Sequence, residues 1–218
     1  MSNIQNVVRL DFYTVKSIYR MTLITYFISI LLGAVTQPII PIFLIMVFGV
    51  FYSGMVFSIY EKNHLDKLYG ILPLRKSDVV IGRYLYCFLF GITQAILAGI
   101  ISYVISRATE IVPDNFAITA TLSLSFIYFC FATGVAFPIY FKFGFSKAYI
   151  FTMVPMYLIF IGGVFLSRKP NALNSFKNIL LYFSAHQVLL LLSGIAIGLI
   201  LFGISGIISL GIYKNYEV

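Results

Sequence analysis

The sequence predicts an all-α polytopic membrane protein. It would have six transmembrane helices, an N-terminal amphipathic interface helix, a cytoplasmic helix between spans two and three, and a short outer re-entrant element before span six. Three observations carry this. At least five apolar runs reach about 18 residues, long enough to read as spanning helices. Only 10% of the residues are charged, and 61% are hydrophobic, against roughly 25% charged in soluble domains. The basic residues also fall unevenly between alternate connections, as membrane topology requires. The short alternating segments of a β-barrel are absent. The net charge of +8 therefore reports topology before it suggests nucleic acid, and no nucleic-acid partner is expected.

Residues 1–20 form the interface helix. From Ile4 to Arg20, Ile4, Val7, Val8, Phe12, Val15, Ile18 and Tyr19 share one arc of about 140° at helical spacing. Gln5, Asn6, Arg9, Tyr13, Lys16, Ser17 and Arg20 fill the opposite side. A basic stripe opposite an apolar stripe suits the membrane surface and its anionic leaflet. Asp11 breaks the pattern from the apolar side; it is either a solvated turn residue or the partner of a cytoplasmic Arg or Lys. Arg9, Asp11, Lys16 and Arg20 occupy the place of a signal peptide's apolar region, so no cleavable signal is expected here.

Residues 21–218 form the six-span domain. Span one runs from about Met21 to Val35 and span two from about Ile39 to Tyr60. Pro38 and Pro41 lie in and just after the uncharged turn between them, where a helix start tolerates proline. That turn is a tight outer connection or a re-entrant hairpin. Span three covers about Val79 to Ser106, with Ser77 as its cap and Asp78 in its first turn. Span four covers about Phe116 to Phe141, and span five about Ala148 to Leu166. Residues 179–212 are too long an apolar stretch for one ~30 Å core. They divide into an outer re-entrant element, Leu173 to Ser184 within the loop 167–187, and span six at about Val188 to Ile212. With both termini inside, Arg9, Lys16, Arg20, Lys62, Lys67, Arg75, Lys76, Arg83, Lys142, Lys147 and Lys214 are cytoplasmic. Arg107, Arg168, Lys169 and Lys177 are outside, which is the positive-inside distribution.

The segment from Glu61 to Arg83 is the long charged interruption between two spans. Its first half is helical by pattern: Leu65, Leu68, Tyr69 and Leu72 fall on one face, while Lys62, Asn63, Asp66 and Lys67 point away. Gly70 and Pro73 end that helix. Such a segment faces water, where a soluble partner would meet it.

Several chemistries are excluded. No ionisable residue lies in the middle of a span, where ion-coupled carriers place one. His64 and His186 lie at opposite membrane edges and share no metal. Cys87 and Cys130 lie in apolar spans and read as small hydrophobes rather than a disulfide. Gly70 to Ser77 nearly matches a phosphate loop, but Arg75 replaces the second glycine and no strand precedes it, so no nucleotide is expected on this chain. Small residues recur at four-residue spacing at Gly91, Ala95 and Gly99, at Ala132 and Ala136, and at Gly194 and Gly198. They serve packing within the chain or a dimer face. Thr119, Thr121, Ser123 and Ser125 make the outer part of span four hydroxyl-rich. They wet a substrate path or bond back to their own helix.

Leu72-Pro73-Leu74-Arg75-Lys76-Ser77-Asp78-Val79-Val80, followed by Arg83-Tyr84 and preceded by Glu61 and Leu65-Asp66, resembles the signature loop of bacterial type-2 ABC transporter permeases. The layout is most similar to small six-span members without an extracellular domain, including the permeases of phenol-soluble modulin exporters. The resemblance implies a dimer, with a second copy or a paralogous permease, seated on two cytoplasmic ABC ATPase subunits. ATP and Mg would bind those subunits. Glu61 to Leu72 would be the coupling helix, with Glu61, Leu65, Asp66, Leu68, Tyr69, Leu72 and Arg75 at the ATPase. Arg9, Asp11, Phe12 and Lys16 would belong to the interface helix beside it. The chain itself would not be an enzyme. It would sit in the bacterial plasma membrane and export an amphipathic peptide or lipid-like substrate, since Phe, Tyr, Ile and Leu dominate its spans. The alternatives are a non-transporting immunity or sensor subunit that binds an ATPase, and a small secondary carrier.

Overall fold

The computed structural model describes residues 3–63, 75–111, 113–150, 154–155, 157–158 and 184–214. Among them there is no strand, and the major elements are α1 (Asn3–Thr14), α2 (Tyr19–Val35), α3 (Ile40–Lys62), α4 (Lys76–Thr109), α5 (Asn115–Phe143), α6 (Phe145–Ala148) and α7 (Gln187–Lys214). Four of these, α3, α4, α5 and α7, are long and apolar enough to cross a membrane; the bent pair α1–α2 would make a fifth. Most of the expected fifth span and nearly all of the re-entrant element lie outside the described residues, as do Leu65, Asp66, Leu68, Tyr69 and Leu72.

The N-terminal segment differs from the continuous helix expected to Arg20. A 3-10 turn over Val15–Ile18 separates α1 from α2, and the two axes bend by 67°. Thr14 Oγ1 donates to the Asp11 carbonyl at 2.9 Å, closing α1 locally. The face assignment holds in part: Val7, Val15 and Ile18 are buried and Gln5, Asn6, Arg9, Tyr13, Lys16 and Arg20 are exposed, but Phe12 and Tyr19 of the expected apolar arc are exposed as well.

α2 and α3 form a hairpin. Pro41 stands in the first turn of α3, where its missing N–H costs nothing. A Cβ on Gly33 would lie 2.5 Å from Pro41 Cγ, so only glycine admits this approach. One tyrosine ties the helices: Tyr52 meets Thr25 and donates to the Met21 carbonyl at 3.1 Å.

α4 begins two residues earlier than a cap at Ser77 allows. Arg75, extended at φ −73° and ψ 142°, occupies the cap position with no side-chain bond, and Ser77 lies inside the first turn. At 34 residues α4 is about 51 Å long, so it projects beyond a ~30 Å core. It ends at Glu110, whose φ of 57° is left-handed. Asp114 then caps α5 by accepting from the Phe116 N–H at 3.4 Å.

The core lies between α3, α4, α5 and α7. Phe129, Met46, Cys87, Cys130 and Phe137 are fully buried there. Small residues set the spacing. A Cβ on Gly91 would lie 2.4 Å from Phe129, one on Gly194 would lie 2.1 Å from Ser123 Oγ, and one on Gly198 would lie 3.0 Å from Phe126 and from Cys130 Sγ. These three glycines therefore pack helices of the same chain. Ala95 and Gly99 are different: they line a shallow groove with Ile96, Ile100, Tyr103 and Leu122.

Polar side chains in the apolar interior find partners across helices, as a hydrocarbon environment demands. Tyr84 bonds Ser205 at 2.5 Å and Ser209 at 2.8 Å, and Ser205 donates to the Gly134 carbonyl at 2.6 Å. Tyr26 donates to Gln94 Oε1 at 2.7 Å. Thr119 and Thr121 bond back to Asn115 and Ala117 carbonyls, whereas Ser123 donates to the Leu190 carbonyl of α7 at 3.0 Å.

Candidate functional site: the charged end of the bundle

The 61–83 loop leaves α3 and enters α4 at one end of the bundle, and residues at both of its ends are fastened there. Glu61 lies in the last turn of α3. Its Oε2 accepts the backbone N–H of Ser146 at 3.0 Å. Ser146 belongs to α6, which follows α5 through Gly144 at φ +78°. The Glu61 carboxylate also lies against that turn, 3.4 Å from where a Gly144 Cβ would stand. The Ser146 N–H is the main reason this carboxyl sits below its usual range; the Ser146 hydroxyl, the Phe145 N–H and the Lys147 charge add to it against slight burial.

Arg83 lies within α4, about two turns after its start at Lys76. It is 3% exposed, and its guanidinium lies 4.2 Å from the Tyr60 ring centroid, 4.5 Å from Phe57 and 5.7 Å from Phe141. Contacts of this kind contribute about 0.5 to 2 kcal/mol, the upper values when water is excluded. Nε and Nη2 have no hydrogen-bond partner. The charge of Arg83 acts on Asp11 of α1, which is 2% exposed. Burial raises the Asp11 carboxyl to about 6, and Arg83 opposes that rise. Asp11 is therefore buried rather than a solvated turn residue, and its Oδ2 has no hydrogen-bond partner.

The approach of α1 to α4 rests on a glycine. A Cβ on Gly82 would lie 2.7 Å from Val7 Cγ1, and Val7 and Val79 are buried at this crossing. Five residues further along α1, Phe12 meets Tyr86 edge-on with ring centroids 4.8 Å apart. Arg9 and Lys16 remain exposed on the opposite face. Arg75 is exposed at the start of α4.

The structure thus brings Asp11 and Phe12 to α4, and Glu61 to the α5–α6 turn. Gly82, Tyr60, Phe57, Phe141 and Ser146 carry these contacts and were not singled out in the sequence. Asp11 was the available signal, because a carboxylate on an apolar stripe needs a cation on the helix it packs against. Among the described residues, no group of three or more His, Cys, Asp or Glu is arranged to hold a metal. The arrangement offers no reacting centre; it offers rigid attachment of both loop ends.

A family model described as ABC-2 family transporter protein matches residues 6–214. The chain belongs to the ABC-2 transporter family. It is a multi-pass membrane permease subunit of an ABC transporter, and this family works with an ABC ATPase subunit. No curated protein and no solved structure matches the chain.

Proposed function

We propose that this permease exports amphipathic or hydrophobic molecules, with peptide toxins as the leading class, across a bacterial plasma membrane. It would work as a dimer, with itself or a paralogous permease, on two ATPase subunits that bind ATP and Mg. The 61–83 loop is the coupling element, docking through Leu65, Asp66, Leu68, Tyr69, Leu72 and Arg75. Six spans then cross the membrane, α2, α3, α4, α5 and α7 together with residues 148–166, and both termini are cytoplasmic.

The observation that supports this best is the fastening of the loop at Glu61 and Arg83. A loop anchored at both ends delivers a push to helices rather than absorbing it. A mobile loop on a frayed helix end would not. The mostly apolar interior suits an amphipathic cargo, and ATP on the partner makes a mid-membrane ionisable group unnecessary.

Reconstitution with the ATPase in liposomes tests the cargo. ATP turnover stimulated by an amphipathic helical peptide, and not by a sugar of similar mass, is the expected result; no response to the peptide would reject that cargo class. For the dimer, Ala95→Cys in a background without Cys87 and Cys130 should crosslink between copies. Ala95 and Gly99 line an open groove, with Ala95 also packed in part against the core, so this groove is the face offered to a partner.

A further inference from the structure

We infer that the groove between α4 and α7 holds one anionic phospholipid, with an acyl chain along the helices and the phosphate at Lys76 and Lys214. The groove has a volume of about 330 Å³. Tyr84 and Phe202 are buried at its floor, edge-on with ring centroids 5.4 Å apart, and Tyr84 is held by Ser205 and Ser209. Ile81, Leu85 and Leu199 stand exposed at its edges. Gly203 and Gly206 deepen it on the α7 side. A Cβ on Gly203 would meet nothing within 4 Å, and one on Gly206 would meet Tyr84 Cδ1 at 4.0 Å. Such a site requires α4 and α7 to cross a bilayer; it requires neither the proposed cargo nor the ATPase.

Length and charge select this occupant. From Leu199 to Leu210 the groove runs about 16 Å along α7, one leaflet of a ~30 Å hydrocarbon core. Beyond Leu199, α7 packs on α5 instead, with Gly198 against Phe126 and Gly194 against Ser123. A helix of a second copy would need a groove through both leaflets, whereas a single lipid needs one. The end of the groove toward the charged end of the bundle is basic. Lys214 follows Leu210 by one turn and shares a face of α7 with Gly203 and Leu210. Lys76 precedes Val80 by one turn on α4. Both lysines are exposed, as is Arg75, while Asp78, half-buried, is the acidic residue of the same turn. Basic residues around an apolar cleft at the membrane surface attract anionic headgroups. The first turn of α4, which has no side-chain cap, adds N–H groups of the same preference.

The chain contains no tryptophan, so a single introduced one reports locally. Leu85→Trp stands at the groove edge, and Ile197→Trp stands at an exposed position of α7 outside the groove. Each full-length variant is reconstituted in phosphatidylcholine vesicles that carry brominated phosphatidylglycerol or, in parallel, brominated phosphatidylcholine. Fluorescence quenching then gives the relative affinity of the two lipids at each position. At Leu85→Trp phosphatidylglycerol should be preferred by about fivefold or more, the effect of one basic residue near a headgroup, and salt should weaken the preference. At Ile197→Trp the two lipids should quench alike. Lys76→Gln together with Lys214→Gln should abolish the preference at Leu85→Trp. Gly203→Leu should fill the groove and abolish it too. Gly211→Leu, whose Cβ also meets nothing within 4 Å but lies outside the groove, should leave it intact. Equal quenching by the two lipids at Leu85→Trp, an equal preference at Ile197→Trp, or a preference that survives Gly203→Leu or the paired lysine changes overturns the inference. The vesicles contain no ATPase, so a chain that purifies without one rejects the permease reading and leaves this site standing.

Discussion

Glu61 accepts the backbone N–H of Ser146 at 3.0 Å, and this bond ties the last turn of α3 to the turn that follows α5. The segment that follows α3 therefore begins at a fixed point. It also begins beside Lys142 and Lys147, which border the same turn.

Glu61→Ala removes the acceptor and frees the α6 N–H groups, whereas Glu61→Gln keeps an acceptor without the charge. Because the site is exposed, the expected loss in thermal stability is small for Ala, about 0.5 kcal/mol, and smaller for Gln. The Glu61 carboxyl is held below its usual range, so its contribution is complete at neutral pH and is lost as pH falls through its folded-state value. Melting of detergent-solubilised protein at pH 7 and pH 4 checks both statements: the gap between the Ala variant and wild type should be wider at the higher pH.

Asp11 behaves in the opposite sense. Its carboxyl is raised to about 6, above the ~3.9 of an unfolded Asp. Between about pH 4 and pH 6 the folded chain holds a proton that the unfolded chain releases, so this group's contribution falls as pH rises through that window. Arg83 and Tyr86 are the groups whose charge states are linked to it. Wild type should lose melting temperature relative to Asp11→Asn from pH 4 to pH 6, with no further relative change between pH 7 and pH 8. A difference that is flat across pH 4 to 6 contradicts this.

Gly82→Val places side-chain atoms where Val7 already stands. The expected cost is about 1 to 3 kcal/mol, typical of overpacking, with Gly82→Ala costing less. Val7→Ala in the same chain should recover part of the loss, because it empties the colliding space. A double-mutant cycle on melting temperature reads this coupling, and additivity of the two changes would refute the crossing.

Tyr84→Phe deletes the hydroxyl that joins α4 to Ser205 and Ser209 of α7. A loss of about 1 kcal/mol is expected from interhelical bonds of this kind. Ser209→Ala should cost less, because Ser205 still bonds Tyr84 and the Gly134 carbonyl. Unfolding in mixed micelles of increasing SDS fraction would rank the two variants.

The helices were legible because their signal is length and apolar run. Spans two, three, four and six agree with α3, α4, α5 and α7 within a few residues at each end. The face of the N-terminal helix was legible too, since burial of Val7, Val15 and Ile18 follows their shared arc. Its break at Thr14 was not, because a four-residue 3-10 turn hardly disturbs the apolar spacing. The start of α4 at Lys76 also escaped: Ser77 has the right side chain for a cap, but the extended backbone falls at Arg75. Lateral contacts were the least legible. Nothing in periodicity states that Arg83 lies over Tyr60 and Phe141, or that Gly194 meets Ser123 while Ala95 lines a groove. Those depend on which helices are neighbours, and only Asp11, a misplaced carboxylate, hinted at one of them.

The central claim is that the 61–83 loop is the grip for an ATPase. The direct measurement is purification of the tagged protein in mild detergent, with identification of the accompanying chains and an ATPase assay, run beside Leu68→Asp. The wild type should bring down a soluble ATPase in stoichiometric amount, and Leu68→Asp should insert in the membrane normally yet lose it. A wild-type protein that purifies without an ATPase, or a Leu68→Asp variant that retains a full complement of it, would contradict the account.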